Sequence, residues 1–213
     1  MTVIVQRRSF NELVTRYWTL MSRVYNFPFV QRHIYSPAQT DTIKQLCEHD
    51  ARRIADIACG TGILASRIRS ELPHATVFGV DMSDGMLAKA RARCAEVQWR
   101  KAPAEQLPFA DASLDAVVTT SAFHFFDQPA ALAEFSRVLA PGGMASVATI
   151  CPKERRWTRN GMGERGPAHF PTAGEMERLF TAAGFDVVVH RPVARPVTPP
   201  LVSVDWICVG LKT

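Results

Sequence analysis

The sequence predicts an α/β fold: a mostly parallel sheet of seven strands, with helices on both faces and a helical lid at the N-terminus. From about residue 53, short apolar runs rich in β-forming residues alternate with longer amphipathic segments, as in βαβ units around a parallel sheet. The glycine turn Cys59-Gly60-Thr61-Gly62 joins the first apolar run to the first amphipathic segment, and the next run ends on Asp81. The 213 residues suffice for one such domain with a full core.

The individual elements follow from local signals. Apolar runs bounded by turn residues predict strands at 53–59, 76–81, 97–101, 114–120, 144–150, 185–190 and 202–211. Helical spacing predicts helices at 63–72, 84–94, 129–139 and 172–183. Gly62 opens the first helix, Ser83 suits the N-cap of the second, Pro141-Gly142-Gly143 stops the third, and Gly184 closes the fourth.

Residues 1–50 are predicted to form a helical segment in front of a single compact unit at 51–213. Their apolar residues follow helical spacing and are unusually aromatic: Phe10, Leu13, Tyr17, Trp18, Met21, Val24, Tyr25 and Phe27. One interpretation is a helix packed on the domain. The other is a mobile lid, because ligands bind at the carboxyl ends of parallel strands. A lid predicts slower amide exchange in residues 1–35 once ligand is bound.

Composition narrows the class of protein. The five cysteines are scattered without metal-binding spacing, which favours free thiols, a cytoplasmic location and no metal site. The net charge of +5 is dispersed, so nucleic acid is not expected as a partner. The sequence contains no run of 18 apolar residues, so membrane insertion is not expected. We expect a small molecule as the partner, and the sequence is also compatible with a homodimer.

The glycine turn and Asp81 together indicate a nucleoside site. Glycines let the backbone approach a ligand, and a carboxylate at the end of the next strand accepts hydrogen bonds from ribose hydroxyls. A nicotinamide-dependent dehydrogenase would use the same pair. That class is the weaker alternative, because Ala65 stands at the position of the third turn glycine.

Four blocks carry a resemblance to a known family. They are Asp56-Ile57-Ala58-Cys59-Gly60-Thr61-Gly62, Val80-Asp81-Met82-Ser83, Ala104-Glu105-Gln106-Leu107-Pro108-Phe109 with Ser113-Leu114-Asp115, and Arg137-Val138-Leu139-Ala140-Pro141-Gly142-Gly143. In this order and spacing, over about residues 10–190, the chain resembles class I S-adenosylmethionine (SAM)-dependent methyltransferases. The similar group contains the small type-11 enzymes and the menaquinone/ubiquinone C-methyltransferases, whose fold is Rossmann-like.

The resemblance implies SAM as the cofactor and a role for each matching residue. Gly60 and Gly62 would pass beside the methionine and ribose, while Asp81 would hold the ribose diol. Met82 would cover the adenine. Gly62 also suits a helix cap, and Met82 a core position. The full implied set is Tyr17 of the lid, Asp56, Ala58, Gly60, Gly62, Asp81, Met82, Ala104, Glu105 and Ser121.

One position departs from the family pattern. Relatives often place an acid for the adenine amino group where this chain has Pro103, which offers neither a side-chain acceptor nor a backbone N–H. Adenine recognition would then rest on backbone groups near Ala104 and Glu105, or on the Glu105 side chain.

The turn after the fourth strand contains the candidate general base, His124. Asp127 is placed to orient its ring, and His169 is the second catalytic candidate. The alternative is a histidine that packs in the turn. The predicted reaction is in-line O-methylation of a hydroxyl on a sugar or polyketide-like metabolite.

Two other functions stay open. Quinone C-methylation comes second, because Phe123-His124-Phe125 stands where those enzymes usually carry an Arg-Asn pair. A SAM-binding protein without catalysis comes third, since no residue excludes it.

Overall fold

The computed structural model describes residues 35–151, 168–194 and 205–213. The elements in chain order are α1 (Ser36–Glu48), β1 (Arg53–Ile57), α2 (Ile63–Glu71), β2 (Thr76–Asp81), α3 (Asp84–Arg93), β3 (Gln98–Lys101), β4 (Leu114–Thr120), α4 (Gln128–Val138), β5 (Leu139–Ile150), α5 (Ala173–Ala182), β6 (Phe185–Pro192) and β7 (Asp205–Lys212). A 3-10 turn, Phe123–Phe125, lies between β4 and α4. β5 begins earlier than predicted, because Leu139 already pairs with Leu114 as the chain leaves α4.

The seven strands form one sheet in the order β3-β2-β1-β4-β5-β7-β6. β1 to β5 run parallel, and β7 is antiparallel to both β5 and β6. The predicted mostly parallel seven-stranded sheet is therefore confirmed. The strand order reverses between β1 and β4, so the loops that follow these two strands diverge and leave a crevice at their carboxyl ends.

Side chains alternate along the strands and supply two cores, one on each face of the sheet. On β4, Val117 faces the first core, while Ala116 and Val118 face the second. Helices α4 and α5 cover the first core with Leu132, Phe135, Met176 and Phe180. Helices α1 and α2 cover the second with Ile43, Leu46, Leu64 and Ile68. The helices on both faces agree with the predicted fold class.

Helix α1 is part of this core although it lies within the predicted lid of residues 1–50. Ala38 and Leu46 are buried in the second core. Arg191 of β6 also donates two 2.7 Å hydrogen bonds to the carboxylate of Asp41. The end of the predicted lid is thus an integral element of the domain. Residues 1–34, which include Tyr17, lie outside the described residues, and the lid stays a prediction for them.

The described ranges include every cysteine of the chain. Each of the five cysteines lies in a described range and is a free thiol. Across these same ranges, no three His, Cys, Asp or Glu side chains come together as a metal site. No helix in the described parts of the chain has both the length and the apolar character that a bilayer crossing requires.

Candidate functional site

The candidate site lies where β1 and β4 end. The turn after β1 begins at Ala58 with φ +55°, and the turn after β4 begins at Ser121 with φ +57°. A non-glycine residue in the left-handed region costs roughly 1–2 kcal/mol, and such strain concentrates at functional sites. The Ser121 N–H donates to the Ala148 carbonyl at 2.8 Å, which ties the second turn to β5. The structure therefore brings Ala58 and Ser121 to the same edge, as predicted for the ligand site.

Gly60 gives the first turn its open surface. Its φ is +55°, and a Cβ atom there would meet no atom of the described residues within 4 Å. The Gly60 N–H donates to Asp81 Oδ2 at 2.9 Å, which joins the turn to the end of β2. The turn thus leaves room beside Gly60 for a ligand, while its backbone is held from the other side by the carboxylate.

Gly62 has a different reason to be glycine. It is the N-cap of α2 with φ +77°, and a Cβ there would lie 2.5 Å from Cη2 of Trp99. A Cβ at Gly79 of β2 would lie 2.2 Å from Cζ3 of the same indole. The indole N–H donates to the Cys94 carbonyl at 2.9 Å. The space beside Gly62 is therefore filled by Trp99, which supports the helix-cap interpretation over ligand approach.

Asp81 and Met82 occupy the end of β2. Asp81 Oδ1 accepts a 2.8 Å bond from the Ser83 N–H, in addition to the bond from Gly60 to Oδ2. Burial raises the pKa of Asp81, and the backbone N–H groups of Ser83 and Gly60 oppose this shift. A carboxylate has about four acceptor positions, so both oxygens keep capacity for hydroxyl groups. Met82 is 36% exposed, so the core interpretation of this residue is wrong.

Asp56 is the buried carboxyl of the site. It is 2% exposed and receives the backbone N–H of Ala65 in α2, whereas its Oδ2 atom has no hydrogen-bond partner among the described residues. Burial, reinforced by the negative charge of Asp81, raises the pKa of Asp56 from 3.8 to about 8. This pKa favours the protonated form of Asp56 at neutral pH.

This protonation predicts a pH-dependent stability. Between pH 3.8 and about 8 the folded chain holds a proton that the unfolded chain has released, so the free energy of unfolding falls as pH rises. The slope is about 1.4 kcal/mol per pH unit well below the folded pKa. Urea denaturation at pH 7 and pH 8 should show a loss of about 1 kcal/mol in the wild type and almost none in Asp56→Asn.

The control for this experiment is the exposed carboxylate Asp186 on β6. Asp186→Asn removes one negative charge far from the turn and should keep the wild-type fall between pH 7 and pH 8. A fall of the same size in Asp56→Asn would show that another group carries the proton.

The segment after β3 runs along α4. Ala104 is buried, and Glu105 Oε1 accepts a 2.8 Å hydrogen bond from the Asp127 N–H. Farther along, Glu134 of α4 accepts the Leu107 N–H at 2.6 Å. The Glu105 carboxylate, which the sequence offers as a reader of adenine, therefore also joins this segment to the turn after β4.

His124 lies in the 3-10 turn and is 7% exposed. Its Nδ1 atom is 3.3 Å from Thr149 Oγ1 of β5, so the predicted partner, Asp127, is not the group that orients the ring. The ring stacks on Phe170 at a centroid distance of 4.6 Å and touches Phe125 at 4.1 Å. Desolvation lowers the pKa of His124 to about 4, which leaves the ring neutral at pH 7 and a weak base.

His169 is close to His124 along the backbone. Its N–H donates to the His124 carbonyl at 2.8 Å, and its own side chain is exposed. Gln128 Nε2 donates to the His169 carbonyl at 2.8 Å. The structure thus brings both histidines together beside the turn after β4, and their catalytic role stays a prediction. The positions of Thr149 and Gln128 carry no local signal in the sequence.

Comparison with known families agrees with this geometry. A family described as a methyltransferase domain matches residues 54–143, which span β1 to the start of β5. The chain is 30% identical over 213 residues to the ubiquinone/menaquinone biosynthesis C-methyltransferase of Syntrophotalea carbinolica, covering 87% of both chains. It is 38% identical over 148 residues to the demethylmenaquinone methyltransferase of Thermus thermophilus, covering 67% of this chain and 64% of the relative.

Other relatives share less of their length. The match to the malonyl-[acyl-carrier protein] O-methyltransferase of Hahella chejuensis is 42% identical over 101 residues, which is 46% of this chain and 36% of that protein. Several such relatives are thus matched over less than two thirds of their length. Among solved structures, magnesium protoporphyrin IX methyltransferase from Synechocystis with bound SAM superposes with a TM-score of 0.72 at 15% identity, covering 96% of this chain and 97% of that one. At this identity the likeness concerns the fold alone.

Proposed function

Because the chain belongs to the class I SAM-dependent methyltransferases, in the group of the menaquinone/ubiquinone C-methyltransferases, we propose that it transfers a methyl group from SAM to a small-molecule acceptor. The observation that carries the proposal is the turn at Gly60. The glycine has open space beside it among the described residues, and its backbone N–H is held by a carboxylate that keeps acceptor capacity for ribose hydroxyls.

The residues at the crevice fit SAM. Asp81 would hold the ribose hydroxyls, Met82 would cover the adenine with its exposed side chain, and Gly60 would let the backbone pass close to the cofactor. Asp56 Oδ2, just before the same turn, is a buried polar atom with no hydrogen-bond partner in the part of the chain that the structure describes. When bound, SAM supplies an electrophilic methyl group on a positively charged sulfur. The task of the protein is to hold the acceptor atom within about 3–3.5 Å and in line with that group.

The burial of His124 limits the kind of acceptor atom that suits the site. A general base works best with a pKa near the working pH, and a buried ring of pKa about 4 does not meet this condition. The acceptor that suits the site therefore has an atom that is nucleophilic without help from histidine. We assign as first choice an electron-rich ring carbon of a quinol-type molecule, which agrees with the relatives that match most of this chain.

A carboxylate oxygen is the second candidate acceptor. It is already anionic and needs no base, and the malonyl-[acyl-carrier protein] O-methyltransferase relative supports it at 42% identity. Methylation of a sugar or polyketide hydroxyl, which the sequence favours, loses its main support with the weak basicity of His124.

Isotope-labelled SAM tests the reaction and the acceptor together. The protein is incubated with a demethylated naphthoquinol, a malonyl thioester and a hydroxyl-rich sugar, and the labelled product is identified by mass spectrometry. We expect label on the quinol ring carbon, or otherwise on the malonyl carboxylate. Label on the sugar alone would contradict the acceptor assignment, and absence of S-adenosylhomocysteine binding would contradict the proposed function itself.

Gly60→Ala tests the cofactor site. A Cβ at this position would lie more than 4 Å from every atom of the described residues, so it would enter the space assigned to the ligand. We expect the affinity for S-adenosylhomocysteine, measured by calorimetry, to fall about 10–100-fold, as for a steric loss of roughly 1.4–3 kcal/mol.

Gly142→Ala is the matched control, because Gly142 also has positive φ and open space around a Cβ but lies at the start of β5, outside the crevice. The two variants should lose similar stability from backbone strain, roughly 1–2 kcal/mol. Only Gly60→Ala should lose affinity. Unchanged affinity in Gly60→Ala would place the ligand elsewhere.

His124→Gln tests the absence of a histidine base. Glutamine keeps a polar group for the Thr149 hydroxyl while removing the imidazole. We expect turnover to fall by less than about tenfold, against the 10²–10⁴-fold loss typical of a missing general base. The rate should show no rising limb between pH 6 and pH 7 in either protein, because the wild-type ring titrates near pH 4. A hundredfold loss together with such a limb in the wild type would restore His124 as the base.

A further inference from the structure

Glu105 makes a contact that connects the two sides of the crevice. Its carboxylate belongs to the segment after β3, here called the adenine-side loop (residues 102–109), and accepts the Asp127 N–H at the start of α4. We propose that Glu105 is a positioning residue that couples the adenine-side loop to the acceptor side through the first turn of α4. This inference rests on the proposed function, which assigns a ligand to each side.

The adenine-side loop is held at both of its ends. The Ala102 N–H donates to the Asp81 carbonyl at 3.3 Å, beside the ribose position. At the other end, Arg137 in the last turn of α4 donates to the carbonyls of Phe109 at 3.0 Å and Leu107 at 3.3 Å. The loop therefore lies along the full length of α4, and Glu105 is its attachment to the first turn.

The first turn of α4 relies on this attachment. Asp127 is the N-cap residue, and its own side chain makes no capping hydrogen bond. In a capping box, a glutamate within the helix accepts the N-cap backbone N–H. Here Glu105 performs that task from a separate segment. Its negative charge is also favourable at a helix N-terminus.

The same turn holds the acceptor-side segment, residues 168–170. Gln128, the first residue of α4, is 4% exposed and donates to the carbonyls of His169 at 2.8 Å and Phe123 at 3.3 Å. The His169 N–H in turn donates to the His124 carbonyl, and Phe170 stacks on the His124 ring. Asp127 and Gln128 are adjacent, so one turn of helix touches both segments.

The coupling follows from this shared turn. A cofactor that orders the adenine-side loop also orders Glu105, and through it the position of the Asp127 N–H. Ordering of one segment lowers the entropic cost of ordering the next. Cofactor binding is therefore expected to steady residues 123–128 and 168–170 before an acceptor arrives.

Hydrogen exchange with and without S-adenosylhomocysteine tests the coupling in the full chain. In the wild type we expect the ligand to slow exchange in 102–107, 123–128 and 168–170. In Glu105→Ala only 102–107 should be slowed, and the Asp127 amide should exchange about tenfold faster, as expected for loss of one charge-assisted bond. Glu105→Gln, which retains an oxygen acceptor, should recover part of the effect and verifies that the fold is intact.

Gln106→Ala is the matched control, because Gln106 is an exposed neighbour in the same loop. It should behave as the wild type. The coupling would be overturned if the ligand slowed amide exchange in 123–128 and 168–170 of Glu105→Ala as much as in the wild type. It would also be overturned if the ligand slowed exchange only in 102–107 of the wild type. If Glu105→Ala loses affinity for the ligand tenfold while the ligand still slows amide exchange in 123–128 and 168–170, Glu105 is a cofactor ligand instead. If the wild type shows no response to the ligand, the proposed function fails rather than the coupling.

Discussion

Gly62→Ala should lower the free energy of unfolding by about 2–5 kcal/mol. A residue with a Cβ at φ +77° costs about 1–2 kcal/mol. The new methyl group would also lie 2.5 Å from the Trp99 indole, and overpacking of this kind costs typically 1–3 kcal/mol. Urea denaturation followed by far-UV circular dichroism measures the loss.

Two variants separate strain from overpacking. Gly142→Ala has a similar φ of +73°, and no described residue lies within 4 Å of the added atom, so it should lose only the strain part, about 1–2 kcal/mol. Gly62→Ala should lower the free energy of unfolding less when it is combined with Trp99→Leu, because the smaller side chain leaves room for the added methyl group. Equal losses of unfolding free energy in Gly62→Ala and Gly142→Ala would mean that the Trp99 side chain moves aside without an energetic cost. That result would contradict its assigned role.

Asp81→Ala should weaken the binding of S-adenosylhomocysteine by roughly 10–150-fold. Charge-assisted hydrogen bonds to the ribose hydroxyls are worth about 1.5–3 kcal/mol, and the substitution removes them. It also removes the acceptor that holds the Gly60 and Ser83 N–H groups, so the turn loses part of its preorganisation. Calorimetry at a temperature where the variant is folded gives the affinity.

Asp84→Ala is the control for charge. Asp84 follows Asp81 closely in the chain, is exposed, and pairs with Lys101 at 2.5 Å on the surface. Its removal changes the net charge by the same amount and should alter affinity by less than about twofold, because exposed ion pairs contribute little. If the two variants lose affinity equally, a general charge effect and not hydrogen bonding by Asp81 explains the loss.

The proximity of the glycine turn and Asp81 could be predicted because their signals are local. The turn from Cys59 to Gly62 and the carboxylate Asp81 each follow an apolar run, and parallel strands place the ends of such runs together. The structure agrees through the 2.9 Å bond from Gly60 to Asp81. The exposure of Met82 likewise follows from its place directly after the strand end.

The roles of Gly62 and His124 depended on contacts between distant parts of the chain. Trp99 comes from β3 and fills the space beside Gly62, whereas the sequence left both ligand approach and a helix cap open for this glycine. The His124 ring pairs with Thr149, not with the nearby Asp127, and Phe170 covers it. Burial by these groups, rather than residue type, lowers its pKa to about 4.

The sequence by itself determined the mostly parallel seven-stranded sheet, the glycine turn and the acid at the end of β2. These features depend on hydrophobic period, turn residues and strand ends, which are properties of short segments. The tertiary structure alone decided that α1 belongs to the core, that Asp56 is protonated, and that Glu105 joins the two sides of the crevice. Burial and hydrogen-bond partners set these properties, and both arise only when segments far apart in the chain pack against one another.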